Sequence, residues 1–335
     1  MVDVPSLARA LLNSSADPSL IVERGRVVAF NRAAETLWPG AEGKDVRFAI
    51  RHPDALDLIL GPATTITERE LVGLDGSERP WRAIVIPLIG ALRLVRLVDM
   101  SATRSAERMR TDFVANASHE LRTPLATVIG YAETLAEEGD IDPALRQRFG
   151  ATIGSEARRM LRLIEELMAL SRIEADRYRA PSDQVDLGAI VELAIDDCGE
   201  LCRERQGIIL FERPDQPMWV RGDARQLEIA VTNLISNALR YGCDAAGCTV
   251  NVALAATGQT VGLTVRDDGE GIDPLHLPRL TERFYRVDAA RSRDSGGTGL
   301  GLAIVKHIVE RHRGSLEFRS PPDCGMTVTV SLPIA

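Results

Sequence analysis

Ser118-His119-Glu120-Leu121-Arg122-Thr123-Pro124-Leu125 is the stretch on which the reading of this 335-residue chain rests. It lies inside a helical pattern from about Thr103 to Leu135, where Val114, Ala117, Leu121, Leu125, Val128, Ala132 and Leu135 recur at three- and four-residue steps. His119 falls between those apolar positions, so its imidazole is expected to face solvent. Pro124 has no N–H, which deprives the Glu120 carbonyl of its helical partner and predicts a bend just past the histidine. Glu120 stands beside His119 and is a candidate acceptor for the ring proton, leaving the other nitrogen nucleophilic. Thr123 lies one turn further on the same face. By itself, an exposed helical His–Glu pair reads as solvated surface.

Moving outward, Gly139, Asp140 and Pro143 end the first helix, and a second is expected from about Ala144 to Ala175. There Ile153, Met160 and Leu167 repeat every seven residues, as do Ala157, Ile164 and Ser171. Two such seams joined by a short loop predict an antiparallel helical hairpin. One hairpin leaves a seam uncovered, so two hairpins pairing into a dimeric four-helix bundle is the expected arrangement. The alternative is a lone hairpin packed on its own domain. Upstream, Ser19–Val22, Val27–Phe30, Thr64–Val72, Trp81–Leu88 and Leu92–Val98 read as strands, with turns at Gly25 and Asp75-Gly76 and one or two helices between. Asn31 is a natural N-cap for a helix over 33–37. This predicts a five-stranded antiparallel sheet with helices on one face, an α+β unit. Downstream of Pro181-Ser182-Asp183 an α/β layer pattern begins. Helices are expected at Leu187–Arg205, Ala224–Arg240 and Leu300–Arg311, and strands near Ile208–Phe211, Thr249–Ala255, Val261–Asp267, Ser315–Arg319 and Met326–Leu332. The domains expected are therefore 1–100, 101–180 and 181–335.

Composition narrows the field. A net charge of −8 gives no reason to expect a nucleic-acid surface. Five cysteines in a chain of this length are not a disulfide framework, and reduced thiols of a cytoplasmic protein are expected. The longest uncharged apolar stretch, Ala83 to Leu92, is about half the ~20 residues that cross a bilayer, and no signal peptide is recognisable. A membrane attachment is expected only through residues upstream of Met1.

Three further clusters carry chemistry. Asp267-Asp268-Gly269-Glu270-Gly271-Ile272 follows a strand, and Gly296-Gly297-Thr298-Gly299-Leu300-Gly301-Leu302-Ala303 opens a helix. Glycines there let backbone amides approach a ligand, and a helix N-terminus favours phosphate. Neither cluster is a Rossmann fingerprint, a P-loop or a protein-kinase signature. In the third, Asn233 and Asn237 share a helix face, with Arg240 and Tyr241 alongside. Carboxamides ligate Mg²⁺, a guanidinium grips phosphate, and a phenol ring covers a base. Taken singly, each cluster also fits a structural turn or an amphipathic helix.

In order and spacing these clusters together resemble the sensor histidine kinases. Ser118–Leu125 is similar to the H-box of that family, Asn233–Tyr241 to its N-box, and Asp267–Ile272 to its first glycine box. Arg283-Phe284-Tyr285-Arg286-Val287-Asp288 is similar to the F-box, and Gly296–Ala303 to the second glycine box. The resemblance implies a dimerisation and phosphotransfer hairpin followed by a GHKL (Bergerat) α/β-sandwich ATP-binding domain. It implies ATP and Mg²⁺ as cofactors, a homodimer, and a response-regulator receiver domain as partner. It implies His119 as phospho-acceptor and Glu120 as base; Thr123, one turn after His119, is expected from its position to hold the water that dephosphorylates the regulator. Asp267 would bind the adenine amino group, Asn237 with Asn233 would hold Mg²⁺, and Arg286 would approach the γ-phosphate. Arg240, Tyr241, Gly269, Gly271, Ile272, Phe284, Gly297, Thr298, Gly299, Leu300 and Gly301 would complete the nucleotide site, and Val287 to Ser295 would be the lid. Arg240 departs from the family's commoner lysine and Asp268 from its commoner asparagine. The N-terminal sheet resembles a PAS domain through Val28-Ala29-Phe30-Asn31-Arg32-Ala33-Ala34-Glu35. That segment, Arg51-His52-Pro53 and Asp112–Ser118 are similar to the phosphate-regulon sensor kinases. A GHKL ATPase of the chaperone or topoisomerase kind is the rival enzyme. Its water-activating glutamate would stand where this chain has Asn233, which cannot serve as a general base. A non-catalytic scaffold is the rival outside enzymes, and filled boxes argue against it.

Overall fold

A computed structural model describes residues 12–62, 65–74, 77–137, 141–176, 179–243, 247–287, 297–321 and 324–335, with Arg110 described in its backbone alone. The Asp75-Gly76 turn, the Gly139-Asp140 break, Asp288, Gly296 and all of the expected lid except Val287 lie outside them. The chain divides into two compact units, Met1–Val114 and Ala115–Ala335.

In the first unit, β1 (Ser19–Glu23), β2 (Arg26–Phe30), β3 (Thr67–Val72), β4 (Pro80–Pro87) and β5 (Leu92–Asp99) form one antiparallel sheet in the order β2-β1-β5-β4-β3. Between β2 and β3 run three short helices rather than the expected one or two: α1 (Arg32–Leu37), α2 (Val46–Ala49) and α3 (Pro53–Leu60). α2 is a single turn, too short to leave a period in the sequence. Alternation along the strands buries Leu20, Val22, Trp81, Val85, Val95 and Leu97 against Ala55 and Ile59 of α3. Each large aliphatic so buried is worth about 1.5–3 kcal/mol. Asn31 caps α1 as expected, its Oδ1 accepting from the N–H groups of Ala34 and Ser19 at 3.0 Å each. Its Nδ2 donates to the carbonyls of Leu12, Ser15 and Asp17, so the buried amide is satisfied and ties the strand to the preceding turn.

α4 (Ser101–Ala136) and α5 (Pro143–Ala175) are the expected long helices. α4 is continuous through Pro124. α5 starts as sequence rules require: Asp142 accepts from the Ala144 N–H at 2.9 Å and Pro143 occupies the first turn. Leu163, Leu170 and Ile173 are buried, whereas Leu125, Ile129, Leu145, Leu161, Ile164 and Met168 remain exposed along the two helices.

The rest is an α/β sandwich. β7 (Ile208–Phe211), β9 (Thr249–Thr257), β10 (Thr260–Arg266), β11 (Ser315–Arg319) and β12 (Thr327–Pro333) form a sheet ordered β11-β12-β10-β9-β7, parallel only between β7 and β9. β6 (Gln184–Asp186) and β8 (Trp219–Arg221) pair as a separate ribbon that sequence reading missed. The single helix expected over Leu187–Arg205 is instead α6 (Leu187–Asp197) and α7 (Gly199–Glu204). The break falls where the Cys198 N–H is shared between the Ala194 and Ile195 carbonyls and Gly199 follows. α8 (Ala224–Tyr241) packs against both α6 and α9 (Gly301–Arg311). Leu227, Val231, Leu234 and Ile235 of α8, with Ile304, Val305 and Ile308 of α9, are buried, as are Val252, Leu263, Val265, Val328 and Val330 of the sheet. The expectation that every thiol is reduced is corrected: Cys243 and Cys248 are joined as a disulfide, Cα atoms 4.7 Å apart. The pair lies between the end of α8 at Tyr241 and the start of β9 at Thr249. Among the described residues, no helix is long and apolar enough to cross a membrane.

Candidate functional site

β10 ends at Arg266, and the next residue, Asp267, enters a cavity of about 270 Å³. Register fixes its surroundings: Val265 pairs with Val328, which brings Met326 beside Asp267. Asp267 Oδ1 accepts from the backbone N–H groups of Gly269 and Met326, both at 3.1 Å. Neither bond uses Oδ2. Burial pushes the Asp267 carboxyl above its ordinary value, and the two backbone donors pull the other way. Gly271 is left-handed at φ +81°, which turns the chain so that the Ile272 N–H donates to Ser320 Oγ at 2.7 Å.

The opposite wall is the face of α8. Asn233 and Asn237 line the cavity with Arg240 and Tyr241. Asn233 Nδ2 is committed to the Ile229 carbonyl at 2.8 Å, which leaves its Oδ1 turned toward α9. A Cβ on Gly301 would stand 2.5 Å from that oxygen and 3.7 Å from Asn237 Nδ2, so the start of α9 must be glycine to approach the carboxamides. Burial, with Arg162 nearby, holds the Arg240 guanidinium below its usual value. The second glycine box closes the pocket. Gly299 (φ +75°) offers its carbonyl to the Phe284 N–H at 2.8 Å, Thr298 Oγ1 accepts from the Leu300 N–H at 3.3 Å, and Gly297 also lines the cavity. The first turn of α9 leaves backbone N–H groups at this mouth, the usual cradle for phosphate.

α4 and α5 contribute residues to the same place. Glu120 Oε2 accepts from Arg286 at 3.1 Å and from Arg159 at 3.5 Å. The same nitrogen of Arg286 donates to the Gly297 carbonyl at 2.6 Å, and its side chain is only 9% exposed. His119 is exposed on α4, as its position between apolar residues predicts, and is not among the residues lining the cavity. Thr123 Oγ1 donates to the His119 carbonyl at 3.3 Å, one turn away on the same face.

Of the residues expected from sequence, Asn233, Asn237, Arg240, Tyr241, Asp267, Gly271, Ile272, Arg286, Gly297, Thr298, Gly299 and Gly301 line one cavity. Gly269 packs on Gly242 beside Asp267, Phe284 backs Gly299, and Leu300 is fully buried beneath the loop. Sequence reasoning missed Arg162 and Glu166, which reach the cavity from α5, and Ser320 and Met326, which hold the first glycine box. Glu166 hydrogen-bonds Thr298, and its carboxyl is raised by burial. Arg162 and Glu166 stand at i, i+4, which signals a shared helix face but nothing of what that face meets. Among the described residues there is no cluster of three or more His, Cys, Asp or Glu side chains able to hold a metal.

Residues 109–176 match the His Kinase A (phospho-acceptor) domain, and residues 222–335 match the histidine kinase-, DNA gyrase B- and HSP90-like ATPase family. The chain is 37% identical over 315 residues to the phosphate regulon sensor protein PhoR of Pseudomonas aeruginosa, covering 91% of this chain and 69% of that protein. It is 39% identical over 240 residues to the sensor-like histidine kinase SenX3 of Mycolicibacterium smegmatis, covering 72% of this chain and 62% of the relative. With the sensor histidine kinase WalK of Bacillus subtilis it shares 34% identity over 237 residues, 71% of this chain and 39% of that one. The fold is similar to that of histidine kinase ThkA solved in complex with response regulator protein TrrA, at a TM-score of 0.53 and 16% identity, covering 97% of this chain and 98% of that chain. A phospho-acceptor hairpin followed by this ATPase fold, together with the PhoR similarity, means that the chain belongs to the sensor histidine kinases, the protein-histidine kinases of two-component systems.

Proposed function

We propose that the γ-phosphoryl of ATP bound in this cavity is transferred to His119, with Glu120 as the base that takes the ring proton. The N–P bond forms as the bond to the ADP leaving oxygen breaks. The observation that carries this reading is the Arg286 guanidinium, which links Glu120 on the acceptor helix to Gly297 in the glycine loop. A group so placed stabilises charge on a phosphoryl passing between the two. Drawing Arg286 toward a γ-phosphate also releases Glu120 toward its neighbour His119. Asp267 reads the adenine amino group through Oδ2. Asn233 Oδ1 and the Asn237 carboxamide fit Mg²⁺, a hard cation that takes a few protein oxygens and completes its shell with phosphate and water. When bound, that cation neutralises charge on the β- and γ-phosphates.

The wider assignment follows from the same reading. Residues 1–100 are a PAS-like sensor domain, a reading supported by the β2-β1-β5-β4-β3 order with helices inserted after β2. Residues 101–180 are the dimerisation and phosphotransfer hairpin, whose exposed Leu125, Ile129, Leu161, Ile164 and Met168 support closure against a second copy. Residues 181–335 bind ATP. The phosphoryl moves on to an aspartate of a response-regulator receiver domain in the cytoplasm, and Thr123 positions the water that later removes it. The test of acceptor identity is radiolabelled ATP offered to the wild type and to His119→Gln. Acid-labile, base-stable label is expected on the wild type and absent from the variant, which retains ATP binding; undiminished label on the variant identifies another acceptor.

A further inference from the structure

The cysteines form a group that phosphoryl transfer leaves unexplained. Cys243 and Cys248 are disulfide-bonded across the connection from α8 to β9, and both ends of that connection bear on the first glycine box. At one end, Gly242 packs so closely that a Cβ on it would stand 2.5 Å from Asp267 Cβ, and a Cβ on Gly269 would stand 2.7 Å from Gly242 Cα. At the other, the Thr249 N–H, next to Cys248, donates to Asp268 Oδ1 at 3.0 Å. The disulfide therefore spans two of the points from which Asp267–Gly269 is braced, the Met326 backbone being another. Asp268 stands where the family's commoner residue is asparagine, and its carboxylate is the acceptor in the second brace.

The remaining thiols are differently placed. Cys198 is buried, and burial pushes its thiol up to about 11, leaving little thiolate. The Cys202 thiol lies 3.0 Å from the Gly207 carbonyl, to which it donates. Cys324 is exposed. A disulfide that closes so short a loop constrains the unfolded chain less than one closing a long loop, so its consequence is sought in what the loop touches.

We propose that Cys243 and Cys248 are a thiol–disulfide redox pair that sets how firmly the adenine end of the nucleotide pocket is held, the oxidised pair being the tighter-binding form. This rests on the reading of the cavity as a nucleotide site. The oxidant class is a low-molecular-weight disulfide. A thiolate of the pair attacks one sulfur of it, forming a mixed disulfide and expelling one small thiol. The second cysteine then attacks the protein sulfur of that mixed disulfide, closing the Cys243–Cys248 bond and expelling the other small thiol. Two electrons pass from the pair to the oxidant, and the two protons leave with its thiols. Reduction by the reverse path opens the ring and frees Gly242 and Thr249 from their common tether. Both contacts still form in the reduced chain, but less often, so nucleotide affinity is graded rather than switched off.

The experiment uses the full chain carrying Cys324→Ser, equilibrated across glutathione to glutathione-disulfide ratios. Alkylation and mass spectrometry read the pair, and calorimetry reads ADP affinity at each ratio. The expected result is that the pair titrates within the glutathione range and that ADP binds about three- to tenfold more weakly once it is reduced, a modest local tether being lost. Cys243→Ser with Cys248→Ser should sit at the reduced value throughout, and Cys202→Ser should follow the parent. The wild-type titration needs no variant to fold, and circular dichroism at both ends of it verifies that the fold is kept. Equal affinity at both ends, a pair that never oxidises, or a redox effect persisting in the double variant would overturn the inference. If ADP bound in neither state, the nucleotide reading itself would fall; binding that is equal in both states removes the redox inference alone.

Discussion

Replacing Asp267 with asparagine separates what this side chain does for the nucleotide from what it does for the fold. Oδ1 accepts two backbone N–H groups, from Gly269 and Met326, each at 3.1 Å. An asparagine with its carbonyl oxygen in that position keeps both bonds and presents an NH₂ where Oδ2 was. The adenine amino group then meets a donor in place of an acceptor. Losing a hydrogen bond to a charged acceptor costs about 1.5–3 kcal/mol. At 1.4 kcal/mol per decade, ADP or ATP should bind roughly ten- to a hundredfold more weakly. Thermal stability should hardly change. Asp267→Ala should lose as much affinity and in addition leave two part-buried N–H groups without their acceptor, each worth about 1 kcal/mol, with a lower Tm. Calorimetric titration and thermal melts on the two variants form the assay. Affinity unchanged in Asp267→Asn would mean that the base lies elsewhere in the cavity; equal loss of Tm in both variants would mean that the carboxylate charge, and not its two accepted bonds, holds the glycine box.

Thr123→Ala should lose dephosphorylation of a pre-phosphorylated regulator yet keep substantial autophosphorylation, and Glu120→Ala should do the reverse; parallel loss of both activities in Thr123→Ala would assign the hydroxyl to the helix around Pro124. Gly301→Ala puts a methyl 2.5 Å from Asn233 Oδ1, so Mg²⁺-dependent nucleotide binding should fall at least tenfold, read by titration with and without Mg²⁺; wild-type affinity would show that α8 and α9 separate freely. His312 donates from Nδ1 to the Ile308 carbonyl at 2.7 Å and accepts the Asp223 N–H on Nε2 at 3.0 Å, a neutral imidazole whose basicity is lowered chiefly by burial. Its folded-state value lies below the unfolded one near 6.5, so its contribution is whole above that and is lost as pH falls toward the folded value, by up to about 1.4 kcal/mol per unit. Melts from pH 8 to pH 5 should therefore slope more steeply for the wild type than for His312→Gln, and parallel curves would refute the assignment.

Long periodic elements were legible in the sequence because many residues vote for each of them. The helices over Ser101–Ala136 and Pro143–Ala175 and the strands of both sheets were found within a few residues. β6, β8 and α2, of three or four residues each, carry no period and went unseen. The break at Cys198 was hidden because Gly199 is no poorer a helix former than Gly188, which the helix tolerates, and the outcome there depends on a shared N–H. At the site, glycines and carboxamides were readable because each is required by a local close approach, as Gly301 is by Asn233. Arg162 and Glu166 were not, since their part is set by where α5 meets the glycine loop, a tertiary fact with no local spacing. The pairing of Cys243 with Cys248 likewise depends on where the end of α8 and the start of β9 are set in the fold, which no local spacing shows.

The Arg286 bridge has a kinetic meaning. On the roles proposed above, one guanidinium serves both Glu120 and the Gly297 carbonyl, so the base is held by Arg286 as well as by Arg159 until a more strongly charged competitor draws Arg286 away. ATP brings such a competitor in its terminal phosphate, and ADP does not. On that reading, release of Glu120 from Arg286 follows the γ-phosphate of the substrate, which the product lacks. After the proposed transfer, Arg286 would be free to return to Glu120, which would draw the carboxylate away from the phosphorylated imidazole and disfavour the backward step. With those roles, the contact would be an interlock that confers direction on a chemically reversible exchange, at the scale of a single side chain.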